Sequence, residues 1–195
     1  MTRARLAFAG LTPERWPDLE RLFGGNGACG GCWCMWWRLP GEEFRRAKGA
    51  DNKSRFRAIV ASGAQPGLLA YRDGEPIGWL AVEPRDRYAL LARSRALAPI
   101  DDKPVWSVTC FFVKAGFRRQ GLSLALLNEA KRFVAARGGR LLEGYPKDLR
   151  AGFPGANSAW MGAASTFVAA GFKEVARRTP TRPIMRCAVR PRRAT

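Results

Sequence analysis

The sequence predicts one α/β domain over residues 1–195, with a mixed central sheet of about seven strands flanked by about four helices. Two local patterns and one absence lead there. A turn dipeptide, Asp73-Gly74, separates the apolar runs Leu68-Leu69-Ala70-Tyr71 and Ile77 to Val82, which predicts a hairpin. A strand, an amphipathic helix and another strand follow one another over 105–146, a unit whose strands pair in parallel. No internal repeat or composition break divides the chain, and 195 residues suffice for one sizeable core.

In chain order, Arg3, Arg5 and Phe8 among small apolar residues predict a strand over 3–9. Thr12 followed by Pro13 is a helix-start pair, and Trp16, Leu19, Leu22 and Phe23 then recur at helical spacing up to Gly24-Gly25-Asn26-Gly27. The segment from Cys29 to Arg38 crowds three thiols (Cys29, Cys32, Cys34) and three indoles (Trp33, Trp36, Trp37) into ten residues. A second helix over 51–62, capped by Asp51 or Asn52, buries Phe56, Ile59 and Val60. After the hairpin an Arg-rich connection from Pro84 to Pro104 leads to Val105–Val113, whose β-branched content suits a central strand. The next helix carries Leu122, Leu126, Ala130, Phe133 and Val134 on one face and stops at Gly138-Gly139. Arg140–Pro146 is the following strand. A helix over 158–170, with Trp160, Ala164, Phe167 and Val168, ends at Gly171-Phe172, and short strands over 172–177 and 183–189 finish the chain.

Lys and Arg number 34 against 16 Asp and Glu, a formal charge of +18, and histidine is absent. Without histidine, Ser-His-Asp and Cys-His nucleophile machinery and imidazole zinc sites are excluded. The charge attracts anions of every kind, from nucleic acid to phosphorylated cofactors. Arginine supplies 27 of the 34 cations and is scattered rather than gathered in a tail, which disfavours a nucleic-acid arm. An odd five cysteines point to a reducing, cytoplasmic compartment, and the apolar runs are too short to span a bilayer.

Between the 105–113 strand and its helix lies Val113-Lys114-Ala115-Gly116-Phe117-Arg118-Arg119-Gln120-Gly121-Leu122-Ser123. A loop with glycine at the helix start can aim consecutive N–H groups at one point, and the helix dipole adds positive potential there. Arg118 and Arg119 reinforce this anion cradle, and the small Gly121 and Ser123 let a pyrophosphate approach. The segment lacks the Walker A pattern and the three glycines of a dinucleotide fingerprint.

In these residues the chain resembles the GNAT acetyltransferase superfamily, whose acetyl-CoA signature is a strand ending in Val, four residues, then Arg/Gln-x-x-Gly-x-Gly/Ala opening a helix. Val113, Arg118, Gly121 and Ser123 fill those positions, with Ser123 where Gly or Ala is usual and Ala115 where Pro is common. The element order and the late Gly171-Phe172 are similar too. The resemblance implies an enzyme moving an acetyl group from acetyl-CoA, as co-substrate, to a primary amine by direct transfer. It places the pyrophosphate on Arg118, Arg119, Gln120, Gly121, Leu122 and Ser123, and the pantetheine arm along Cys110 to Val113. Backbone N–H of Phe111 or Phe112 becomes the oxyanion donor. Many relatives protonate the leaving thiolate with a tyrosine four residues before the late Gly-Phe; here that residue is Phe167. Tyr145 is the substitute candidate, and Glu143, then Glu83, are the candidate bases, since their strands are expected to border the cleft.

No metal is assigned: Cys29, Cys32 and Cys34 lack a second Cys pair or any histidine. Trp33, Met35, Trp36 and Trp37 are expected to wall the acceptor side. The acceptor is a small-molecule or protein amine; a polyamine requires local acids, for which Glu83, Asp101 and Asp102 are candidates. A homodimer fits the resemblance, since dimers are common in that superfamily. The alternative is a non-catalytic CoA- or RNA-binding protein that has lost the usual general acid; nucleic acid is the less favoured partner and a membrane is not expected.

Overall fold

The computed structural model describes residues 5–151 and 160–190. Seven strands form one sheet: β1 (Leu6–Gly10), β2 (Gly67–Arg72), β3 (Glu75–Pro84), β4 (Trp106–Val113), β5 (Leu141–Gly144), β6 (Lys173–Thr179) and β7 (Arg182–Ala188). Their spatial order is β1-β2-β3-β4-β5-β7-β6, antiparallel except for the β4–β5 pair. The hairpin turn has Asp73 at φ 50° and Gly74 at φ 82°, the left-handed pair that a two-residue turn needs to match strand twist.

Alternation along the strands assigns the two faces. Leu68, Ala70, Leu80 and Val82 meet helix α5 (Leu122–Ala135), which buries Leu122, Leu126, Leu127, Ala130, Phe133 and Val134. A Cβ on Gly78 would lie 2.9 Å from the Leu122 side chain, so glycine there lets α5 lie close on β3. On the opposite face Leu69, Trp79 and Ala81 pack with Trp33, with Phe56 of α3 (Ala50–Ala61), and with α1 (Trp16–Phe23), whose Trp16 stacks on Trp33 at 5.9 Å.

Two short helices join the four read from the sequence: α2 (Gly41–Arg46) and α4 (Ala89–Arg93), each too short to show helical periodicity. The last helix, α6, spans Ala164–Ala169 and so begins later than residue 158. Trp160 and Met161 lie in a 3-10 turn, but Gly162 at φ 84° and an extended Ala163 break it from α6, and residues 158 and 159 lie outside the described residues.

The functional consequence of the topology is a split in the sheet. β5 pairs with β4 only at Trp106↔Leu142, Ser107↔Glu143 and Val108↔Gly144, whereas β3 stays paired with β4 as far as Val113. Beyond Val108, β4 therefore has no strand on its β5 side among the described residues. Phe167 of α6 sits directly on Gly144 at the split, where a Cβ would lie 2.1 Å from its ring, and its edge contacts Phe111 and Phe172 with centroids 6.0 and 4.9 Å away.

Candidate active site

The chain leaves β4 at Val113 and reaches α5 through two left-handed residues, Arg119 at φ 61° and Gly121 at φ 77°. The first helical bond there is Ala125 N–H to Gly121 C=O. The N–H groups of Leu122, Ser123 and Leu124 are thus left without intrahelical acceptors, and no acidic residue occupies the first turn. They open on a cavity of ≈ 440 Å³ bordered by Val113, Arg118, Arg119 and Ser123, and by Ser165 and Thr166 of α6. Arg118 donates to the Val113 carbonyl (3.0 Å), which holds the loop against the strand end. Gln120 accepts from Arg72 (3.0 Å) and donates to the Gly116 carbonyl (2.9 Å), so it braces the loop instead of lining the cavity. A side chain on Gly121 would meet no atom within 4 Å. The arrangement is an anion cradle: free N–H groups, a 14-residue helix dipole and two arginines.

A second cavity, of ≈ 370 Å³, begins one residue back along the strand. Thr109, Cys110, Phe111 and Phe112 of β4 form one side of it, and Trp36, Trp37, Phe44, Lys48 and Trp160 contribute to the others. Trp36 meets Phe44 and Trp160 edge-on at 5.0 and 6.5 Å, and Trp160 tilts against Trp37 at 6.1 Å. The expected aromatic wall therefore divides: Trp36 and Trp37 line this cleft, while Trp33 and Met35 are core residues under α1. Cys29, Cys32, Cys34 and Cys110 also line it. Cys34, at φ 56°, accepts a 3.0 Å hydrogen bond from the Trp79 indole. The hydrogen bond from Cys110 holds the Cys34 thiol below its ordinary range, with the Trp79 N–H and the Arg38 charge acting in the same sense against desolvation. The same contact, with burial, holds Cys110 well above it, and burial pushes Cys32 up to about 11. Among the described residues no group of three or more Cys, Asp or Glu is arranged to hold a metal ion.

The three candidate acid–base residues do not border this cleft, which corrects the expectation for their strands. Glu143 is 1% exposed and lies in a closed network: Arg85 reaches Oε1 at 2.9 Å, Arg186 reaches Oε2 at 2.8 Å, and the Tyr145 hydroxyl donates to Oε1 at 2.6 Å. Tyr145 also contacts Ser107 Oγ (2.8 Å) and Arg85 (2.5 Å), and burial followed by the Glu143 charge pushes its phenol far above the ordinary range. Glu83 is paired with buried Arg38, whose guanidinium lies 4.8 Å over the Tyr88 ring. Asp101 is held by Arg186 at 2.7 and 3.0 Å, so Glu83 and Asp101 do not supply the cleft with acid. The physical reason is the arginine excess: partners distant in sequence take up these carboxylates during folding.

Sequence reading missed Phe44, Lys48, Ser165 and Thr166 as lining residues. Phe44 and Lys48 belong to the unforeseen α2 and the turn after it, and the α6 pair carries no motif. No helix among the described residues is long and apolar enough to cross a membrane.

No curated protein matches the chain in sequence. Among solved structures, it is similar to a GNAT-family acetyltransferase from Streptococcus pneumoniae, at 13% identity and TM-score 0.54, covering 95% of this chain and 99% of that one. It is similar to the paiA N-acetyltransferase of Thermoplasma acidophilum in complex with coenzyme A, at 16% identity and TM-score 0.53 over 94% and 99% of the chains. A GNAT-family acetyltransferase from Listeria monocytogenes is similar at 8% identity and TM-score 0.59, over 94% and 95%. At these identities the likeness shows the fold. The acetyltransferase (GNAT) family model matches residues 33–151, which include the tryptophan cleft's β4 wall and the whole loop of the anion cradle, and the chain belongs to that family.

Proposed function

We propose that the chain transfers an acetyl group from acetyl-CoA to a primary amine by direct transfer in a ternary complex. The observation that carries this reading is the junction of the two cavities on β4. The anion cradle reaches Val113 and the aromatic cleft reaches Phe112, on the stretch of β4 that β5 has left unpaired.

In this reading the N–H groups of Leu122, Ser123 and Leu124, with Arg118 and Arg119, hold the CoA pyrophosphate, and the unpaired stretch Cys110–Val113 pairs with the pantetheine amides. The thioester supplies an activated acetyl carbon beside Phe111 and Phe112, one of whose N–H groups faces the developing oxyanion. The amine enters from the tryptophan cleft as its neutral form. The cleft offers no carboxylate base among the described residues; the charged side chain on its lining is the cation Lys48, while the Arg38 charge beyond Cys34 is matched by Glu83. Positive potential disfavours an ammonium, so the field lowers the acceptor's pKa and lets solvent take the proton. The departing CoA thiolate takes its proton from solvent, since the Cys110 thiol, held well above its ordinary range by the Cys34 contact and burial, is too weak an acid to supply it. Glu143 and Tyr145 act as positioning residues that fix β5 and β7 beside the split.

Isothermal titration tests the cofactor half of this reading. Acetyl-CoA should bind in the micromolar range, and Gly121→Val should weaken it by at least about tenfold, ~1.4 kcal/mol, while Gly121→Ala weakens it less. Absence of binding at millimolar acetyl-CoA, or unchanged affinity in Gly121→Val, overturns it.

A further inference from the structure

The geometry points to the acceptor's chemistry: an amine on a flat apolar or aromatic body that carries an anionic group, a carboxylate above all, at the end remote from the amine. This rests on the acetyltransferase reading and deepens it. The cleft's aromatic side chains present ring surfaces suited to a planar body. Aromatic walls alone would equally suit an organic cation. The charges around them decide otherwise.

Trp36, Trp37 and Trp160 are shared with a further cavity of ≈ 270 Å³ that also touches Arg93 and Arg182. Neither arginine has an ion pair or side-chain hydrogen bond to any described residue, although the chain's carboxylates elsewhere are extensively paired. Residues 152–159 contain no Asp or Glu that could serve them. Arg182 is part-buried, and desolvation lowers its pKa; its charge in turn helps burial to lower that of Lys147. A part-buried guanidinium without a counter-ion, crowded by a second cation, is stabilised by a bound anion. The Trp37 indole N–H on the shared wall is likewise buried without a partner. Among the described residues no carboxylate lines either cavity, so a polyamine finds no counter-charge.

β4, where the acetyl group is proposed to lie, borders the cleft, while the arginines belong to the cavity across the shared tryptophans. An acceptor that runs along these tryptophans from β4 to the arginines carries its amine and its anion at opposite ends of its body. The probe is 4-(aminomethyl)benzoate, compared with benzylamine and spermidine, and binding is read by tryptophan fluorescence in the presence of CoA and again without it. The benzoate should bind at least about tenfold more tightly than either amine. Arg182→Gln with Arg93→Gln should bring that ratio toward one, and Arg182→Lys should keep part of it, acetyl-CoA affinity serving as the check on folding. Binding of spermidine in preference, no binding of any probe, or a benzoate advantage that survives the double substitution overturns the inference. Acetyl-CoA titration reports separately on the reading beneath it: acetyl-CoA binding with the wrong probe order sinks the acceptor assignment alone.

Discussion

Glu143 illustrates how one side chain's surroundings set its work. Its oxygens accept from Arg85, Tyr145 and Arg186, and Arg186 continues to Asp101, so four segments of chain are tied together at the edge of the split. A carboxylate buried to 1% exposure and holding three donors is closed to a substrate, and the Tyr145 hydroxyl already donates its proton. Tyr145→Phe should therefore lower stability by about 1–3 kcal/mol, because Ser107 and Glu143 lose a buried partner. Its kcat should stay within about threefold of the parent, measured alongside thermal unfolding. A loss of about 10²–10⁴-fold with stability intact would instead make Tyr145 the general acid.

The split between β4 and β5 is an element-scale device, and Phe167 is its wedge. Where relatives commonly carry tyrosine, this chain packs a fully buried phenyl ring onto Gly144. Gly144→Ala would place a methyl group 2.1 Å from that ring and force α6 outward, at a cost of about 1–3 kcal/mol. Thermal melts should show a fall of about 2–4 °C per kcal/mol in a chain of this size; an unchanged midpoint would mean that the wedge is not tightly seated. The contrast between cradle and cleft explains what the sequence could reveal. Strand end, loop arginines, Gly121 and helix start all lie within Val113–Ser123, so local rules suffice for the cradle. The cleft gathers Cys29, Trp36, Phe44, Lys48, Cys110 and Trp160 from separate segments, and Glu143 finds its arginines 58 and 43 residues away. Such pairings follow from sheet order and register, which hydrophobic periodicity does not encode.

Across the whole molecule, the +18 charge and the missing histidine become parts of one explanation. In the proposed reaction the positive field draws in a polyanionic cofactor, and it disfavours protonation of the acceptor amine, the task for which a histidine or carboxylate base would otherwise be used. With acceptor amines of graded basicity, the rise of kcat/KM with pH should therefore shift with each amine's own pKa. An inflection fixed whatever the amine would contradict solvent deprotonation and identify a protein base, with Cys34 the first to substitute because its thiol is held low. All of this stands on the cofactor's place at the junction of the two cavities. The most direct test is a crystal structure with acetyl-CoA bound. The account predicts the pyrophosphate on the N–H groups of Leu122, Ser123 and Leu124 and the thioester beside Phe111 and Phe112, facing the tryptophan cleft. Pyrophosphate seated elsewhere, or a thioester directed away from that cleft, would contradict it.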